Sequence, residues 1–391
     1  MSDPQASRRA RIDSFVAMDV MSEANRRGAA GEDIVHMEIG QPATPAPQVA
    51  RDAVRMALDS GVHGYTDATG LPELRARIAQ YYQERHAIEV APERIVVTTG
   101  SSAGFALAFL MLFDTGDALG LPQPGYPCYR HIAAALGLRP VAVEAGPAEQ
   151  WVPTPRVLEE AGATAGDGLD GLIVASPANP TGTMLGHEDL ATLIDYCRAR
   201  GVWFISDEIY HGLEHTIDAQ TALRFSDDAI VVNSLSKYYC MTGWRVGWMV
   251  VPERLLRAAE RLQQNLYICA PALSQIAATA AFDATAELDE IKAGYARNRA
   301  HLLSALSEAG LGEMAPADGA FYIYADVSHL TDDSRDFAAR ALSEAGVAIT
   351  PGIDFDPEGG HRYVRLCYAG SFAEMKKGAV RLGEWLSGRS I

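Results

Sequence analysis

The sequence predicts an α/β fold: a mostly parallel central sheet flanked by helices, with a smaller α+β domain built from both chain ends. Three observations carry the prediction. Short, continuous apolar runs rich in β-branched residues alternate with segments of helical periodicity through the middle of the chain, the pattern of strands buried on both faces. The character changes after about residue 285, where a long amphipathic helix precedes half-buried strands. Polar residues also recur just past the predicted strand ends, the edge where open α/β sheets bind ligands.

Taken in order, Asp13 to Ala30 reads as a helix and Val35-His-Met-Glu-Ile39 as a strand. Arg94-Ile-Val-Val-Thr-Thr99 is a buried strand, followed by Gly100-Ser-Ser and an apolar helix from Ala103 to Phe113. Pro140 to Glu144, Gly171 to Ala175, Val202 to Ser206 and Ala229 to Asn233 are further strands by their Val, Ile and aromatic content. Between two of them, His187 to Arg200 sets Leu190, Leu193, Ile194 and Cys197 at helical spacing. A helix from Leu288 to Gly310 then leads to the strand Ala320 to Ala325, the helix Ser334 to Ala345, the strands Val347 to Thr350 and Tyr363 to Cys367, and a last helix. The expected division is a large domain over 46–284 and a small one over 1–45 and 285–391.

The chain has 391 residues, 48% hydrophobic and 21% charged, enough to bury a sizeable core in two domains. A net charge of −17 argues against nucleic acid or an anionic membrane as partner. Five dispersed cysteines without a Cys-x-x-Cys pair point to reduced thiols. Met1 to Arg11 is polar with no apolar stretch, so no signal peptide is expected, and the apolar runs are too short to span a membrane. The expected location is the cytoplasm.

The chemistry concentrates after Ala229 to Asn233, in Ser234-Leu-Ser-Lys-Tyr-Tyr-Cys-Met-Thr-Gly-Trp-Arg245. Lys237 carries an amine able to form a Schiff base with an aldehyde, and a nearby serine and arginine suit a phosphate on that aldehyde. Alone, Lys237 reads as a loop lysine, Asp207 as a helix N-cap and Asn179-Pro-Thr-Gly182 as a turn. Their joint position weighs more. Ser101 with Ser102, Asn179, Asp207 with Tyr210, and Ser234 with Lys237 all follow predicted strands, so they should converge on one edge. Ser234-Leu-Ser-Lys237 also matches a Ser-x-x-Lys hydrolase motif, but its companions Ser-Asp-Asn and Lys-Thr-Gly do not occur. His211-Gly-Leu-Glu-His215 matches a zinc pattern that needs a helical turn, and Gly212 opposes one; no metal is implied.

Ser176-Pro-Ala-Asn-Pro-Thr-Gly182, Ser206-Asp-Glu-Ile-Tyr210, the Ser234 to Arg245 segment and Val364-Arg-Leu-Cys-Tyr-Ala369 resemble the signature blocks of the class I/II aminotransferases, pyridoxal-phosphate enzymes of fold type I. Gly40-Gln-Pro, Tyr65-Thr-x-x-x-Gly70, Gly100-Ser-Ser and Pro124-Gly-Tyr-Pro-Cys-Tyr129 match more weakly, in the same order. The resemblance implies that Lys237 holds pyridoxal 5'-phosphate and shuttles the substrate proton, and that Asp207 faces the pyridine nitrogen. It implies that Asn179 and Tyr210 bond the phenolic oxygen, and that Ser101, Ser102, the Ala103 amide, Ser234 and Arg245 cup the phosphate. Tyr126 would stack on the ring, Arg365 and the Gly40 backbone would take the substrate carboxylate, and Tyr65 would reach the phosphate of a second copy in a homodimer with shared sites.

The implied reaction moves the amino group of an L-amino acid to a 2-oxo acid, expected to be 2-oxoglutarate. A β-eliminating C–S lyase on the same fold is the alternative. A regulator that senses the cofactor would need a DNA-binding segment ahead of Gly40, and little chain precedes it. Phe15-Val-Ala-Met-Asp-Val-Met21, apolar on one face, is expected to close over the pocket and to favour an apolar or aromatic donor.

Overall fold

Alternate side chains along the middle strands go to opposite faces of one sheet, and both faces are dry. The computed structural model describes residues 5–61 and 63–388; the outermost residues of the expected domain ranges and of the polar N-terminus, 1–4 and 389–391, lie outside them. In chain order the strands are β1 (Val35–His36), β2 (Ile95–Thr98), β3 (Ala118–Gln123), β4 (Arg139–Glu144), β5 (Gly171–Ala175), β6 (Trp203–Asp207), β7 (Ile230–Ser234), β8 (Gly247–Val250), β9 (Tyr322–Asp326), β10 (Val347–Ala348), β11 (Thr350–Pro351) and β12 (Tyr363–Cys367). Seven form the central sheet in the order β2-β8-β7-β6-β5-β3-β4. Only β8 runs against the others.

Val96, Ile173, Ile205 and Met249 pack with Phe105 and Phe109 of the helix Gly100–Leu112 on one face. Val97, Leu172, Phe204, Val231 and Trp248 fill the core on the other. Fully burying such a side chain contributes about 1.5–3 kcal/mol. Period-two alternation with both faces covered is what the apolar runs encode.

Two strands were not legible. β3 contains Gly120 and Pro122, poor strand formers. A Cβ on Gly120 would lie 2.9 Å from the end of the Leu169 side chain, so that leucine packs closely on the strand there. β8 lies inside the apolar run Trp244 to Val251 and returns antiparallel between β7 and β2. The helix after β2 begins at Gly100, ahead of the expected Ala103, which puts Ser101 and Ser102 in its first turn.

The later part of the chain forms a second layer, the antiparallel sheet β11-β12-β9, in which Arg365 pairs with Thr350 on one side and Tyr324 on the other. The N-terminal segment joins this layer: β1 pairs with β10 in parallel, and Ala24 and Val20 of the helix Val16–Ala29 pack on Leu342 and Ala348. The single strand expected over Val347 to Thr350 is split, since β10 serves β1 and β11 serves β12. Among the described residues no helix is long and apolar enough to cross a membrane.

Candidate active site

Beyond the C-terminal ends of β2, β5, β6 and β7 lies one cavity of about 220 Å³. Ser101, Ser102, Asn179, Asp207, Tyr210 and Lys237 all line it, as their shared position after strands predicted. Gly40 and Arg365 close it from the second layer.

Lys237 sits three residues past β7, and its Nζ donates to the Gly40 carbonyl at 2.5 Å. Gly40 must be glycine, because a Cβ would fall 1.8 Å from the Tyr322 hydroxyl. Enclosure away from water pushes the amine down to about 8; the Arg365 and Arg245 charges push the same way, against Cys367 and Asp207. Roughly a tenth of such an amine is unprotonated at pH 7, against almost none for an ordinary lysine. It is therefore poised to attack a carbonyl carbon.

Asp207 ends β6 and is buried. Its Oδ2 accepts from the Tyr129 hydroxyl and its Oδ1 from the Ile209 amide at 3.1 Å. Burial pushes the carboxyl up to about 6, while those two bonds and the Lys237 charge pull it back. A buried carboxylate aimed into a cavity beside an amine suits a cationic ring nitrogen. Tyr126, half-buried, meets Tyr129 edge-on at 5.3 Å. The Tyr210 hydroxyl pairs with that of Tyr322 at 2.7 Å.

Arg365 is 1% exposed and so is no surface cation. Its guanidinium lies between the rings of Tyr322 (4.4 Å) and Phe355 (4.5 Å). Its hydrogen bonds go to neutral oxygens: Asn179 Oδ1 at 2.9 Å, Thr350 Oγ1 at 3.3 Å and the Glu38 carbonyl. Nε has no partner. A buried cation bonded only to neutral groups is held ready for an anion. Because Asn179 spends its oxygen on Arg365, its amide nitrogen is the end left to donate into the cavity.

The opposite end is shaped for a phosphate. Gly100 has φ +75°, and a Cβ there would lie 2.3 Å from Arg245 Nη2. Glycine thus lets the guanidinium reach the first turn of the helix Gly100–Leu112, where free amides and the helix dipole favour anions. Arg245 is braced by Nη1 donating to the Thr242 carbonyl at 2.9 Å. Ala103 follows Ser102 in that turn, and its side chain is buried outside the cavity lining.

One expected residue turns elsewhere. Ser234, paired with Gly247 in the sheet, turns its hydroxyl onto the Val246 carbonyl (2.9 Å) and Ser236 Oγ (2.9 Å). Ser236, not Ser234, lines the cavity, two residues past the end of β7. Tyr65, expected to serve a second copy and not this cavity, is 83% exposed and lies outside the lining. Tyr129, Tyr322 and Ser236 were missed. Tyr129 closes the Pro124 to Tyr129 block and Ser236 stands beside Lys237, so both carried a signal, whereas nothing in the sequence singles out Tyr322. Phe15, Met18 and Met21 do line the cavity. His211 to Gly212 is a turn rather than a helix, and Glu214 takes Arg85 (2.8 Å) and Lys292 (3.2 Å).

Residues 32–382 match the family described as aminotransferase class I and II. The chain is 48% identical over 382 residues to a valine–pyruvate aminotransferase of Mycobacterium tuberculosis, covering 97% of each. It superposes on a crystal structure of an aminotransferase from Mycobacterium tuberculosis with a TM-score of 0.95, at 47% identity over 99% of this chain and 100% of that one. A putative aminotransferase from Silicibacter pomeroyi gives 0.92 at 49% identity, with the same coverage.

Proposed function

The chain belongs to the class I and II aminotransferases, pyridoxal-phosphate-dependent enzymes of fold type I, and we propose that it moves the amino group of an apolar L-amino acid to a short 2-oxo monoacid such as pyruvate. One observation carries the substrate class. Among the described residues lining the cavity the cations are Lys237, Arg245 and Arg365, and each already has a task. The remaining wall includes Phe15, Met18, Met21 and Ile39, which offer nothing to a distal carboxylate. That disfavours 2-oxoglutarate, the acceptor expected from sequence, and fits the name of the Mycobacterium tuberculosis relative.

The residues present fit the cofactor. Ser101, Ser102, Ser236, the first-turn amides and Arg245 would hold its phosphate, Asp207 its ring nitrogen, Asn179 and Tyr210 its phenolic oxygen, and Lys237 its aldehyde carbon. When bound, pyridoxal phosphate supplies that aldehyde and a ring able to accept the electron pair released at the substrate Cα. Lys237 Nζ would take the substrate Cα proton and deliver it again as general acid. Asp207 keeps its negative charge beside the ring nitrogen. Arg365 fixes the substrate carboxylate with a planar pair of N–H groups and so orients the Cα hydrogen. Phe15 and Met18 keep water out.

The same reading takes 46–284 as the cofactor-holding domain and 1–45 with 285–391 as the other, and places the protein in the cytoplasm as a homodimer. Exposed Tyr65, with Met56 and Leu58 on the neighbouring helix Gln48–Asp59, supports a contact through which Tyr65 reaches a second copy's phosphate.

The test follows the visible spectrum of the holoenzyme as donors are added singly. Valine or leucine should convert the cofactor to its amine form, pyruvate should restore it, and 2-oxoglutarate should restore it far more slowly. Aspartate reacting faster than valine, leucine and phenylalanine would overturn the donor class. With cystathionine as the amino acid and no added 2-oxo acid, release of a thiol together with pyruvate and ammonia, without a change in the cofactor band, would point to the lyase.

A further inference from the structure

The helix Val16–Ala29 has no cap of its own: Phe15 occupies the N-cap position and makes no side-chain cap bond. Free amides at a helix start need acceptors. The Val16 and Ala17 amides find theirs far away in sequence, on Asp354 Oδ1 and Oδ2, each at 3.1 Å. Asp354 is fully buried, so this bidentate cap is shielded from water and complements the helix dipole.

We propose that Asp354 is a specificity-positioning residue: by capping this helix it fixes the apolar wall of the cavity to the sheet that carries Arg365. The proposal rests on the apolar-donor reading above. Asp354 ends the short turn Gly352–Asp354 directly after β11, whose Thr350 pairs with Arg365. The next residue, Phe355, lays its ring on the Arg365 guanidinium. The same two residues also touch the cofactor side. Arg130 Nη2 donates to the Asp354 carbonyl at 2.7 Å, and the Gly125 amide to the Phe355 carbonyl at 3.0 Å. Gly125 precedes Tyr126, which Phe15 meets edge-on at 5.8 Å.

A buried aspartate at a helix start could serve stability alone. The distribution of contacts argues for more. Val20 and Ala24, further along the helix, are the residues packed on Leu342 and Ala348. The first turn, with Phe15 beside it and Met18 within it, leans over the cavity and is held at its start by Asp354. Losing the carboxylate should therefore loosen the wall while Lys237, Asp207 and the phosphate end stay in place.

The experiment compares wild type, Asp354→Leu and Asp354→Asn as holoenzymes. Leu keeps the volume and removes both acceptors; Asn keeps one acceptor and loses the charge. With Leu, kcat/KM for valine should fall about tenfold, and that for alanine, too small to lean on the wall, by less than about twofold. The cofactor band should not change. Amides of residues 16–21 should exchange with deuterium at least about fivefold faster, with the strands of the central sheet unaffected. Asn should fall between wild type and Leu in both readouts. Equal losses for valine and alanine, or wild-type exchange at residues 16–21 in either variant, would overturn the proposal. If wild type does not use apolar donors at all, the substrate reading fails on its own, and the exchange measurement still decides whether Asp354 holds the helix. Should Asp354→Leu not fold, the Asn variant carries both readouts.

Discussion

The two walls of the cavity are built by different means. On the cofactor side, Ser101, Asp207 and Lys237 lie at or within three residues of the ends of β2, β6 and β7, strands of one sheet. Their spacing is set by strands whose faces are both buried, and packing of that density leaves little freedom. On the carboxylate side, groups come together from opposite chain ends. Arg365 bonds the Glu38 carbonyl, Lys237 reaches across to Gly40, and Asp354 caps the helix after Phe15. On the proposed function the difference separates two jobs: the sheet edge holds the cofactor, and the second layer holds the substrate, its carboxylate at Arg365 and its side chain against the helix after Phe15. A layer joined to the edge by a few hydrogen bonds can be altered without dismantling the cofactor site.

The largest effect should come from the sheet edge. Lys237→Ala removes both the covalent attachment and the proton carrier, and turnover with any donor should drop by about 10⁴-fold or more. Pyridoxal phosphate should still bind weakly, without the visible band of the protein-linked form. A variant that turned over near the wild-type rate would place the chemistry elsewhere and break the comparison at its base.

The second layer should give a smaller and different effect. Arg365→Lys keeps the charge but loses the planar pair of N–H groups, and kcat/KM should fall roughly 10- to 100-fold, mainly through KM. The cofactor spectrum should stay as in wild type. A bleached spectrum would mean that Arg365 belongs to the cofactor side, and the two jobs would not be separable.

The same contrast explains what was legible in the sequence. A residue after a buried strand in a parallel sheet has its edge fixed by local pattern, so Ser101, Asn179, Asp207, Tyr210 and Lys237 could be gathered before any contact was known. Which of two nearby serines turns inward is decided by how Ser234 finishes its ladder with Gly247, a tertiary matter that residue type does not encode. Tyr322 was silent for a related reason. It stands among apolar neighbours at the start of β9, and only contact with Gly40 and Arg365 makes it part of the site. β3 was hidden because Gly120 and Pro122 are poor strand formers, and its pairing with β4 and β5 overrides their propensity. Asp354 carries no local signal, because the amides it accepts from lie at the opposite end of the chain.

The finest test concerns a single hydrogen bond on the cofactor side. Tyr129 donates to Asp207, and that bond favours the ionised carboxylate against the burial that raises it to about 6. Tyr129→Phe removes the donor and leaves burial unopposed at that oxygen, so the carboxyl should titrate higher still, by about one unit for a bond to a charged group. The sign follows: a raised acid is ionised only at higher pH. Affinity of the cofactor-free protein for pyridoxal phosphate should weaken as pH falls through about 6 in wild type, and the same weakening should begin about one unit higher in the variant. Titration of Lys237, pushed down to about 8, is common to both proteins and cancels in the comparison. The ratio of the two dissociation constants should be close to one at pH 8 and widen towards pH 6. A ratio that stayed flat across that range would mean that Tyr129 only packs against Asp207, and that the sheet edge sets the charge of its carboxylate by burial alone.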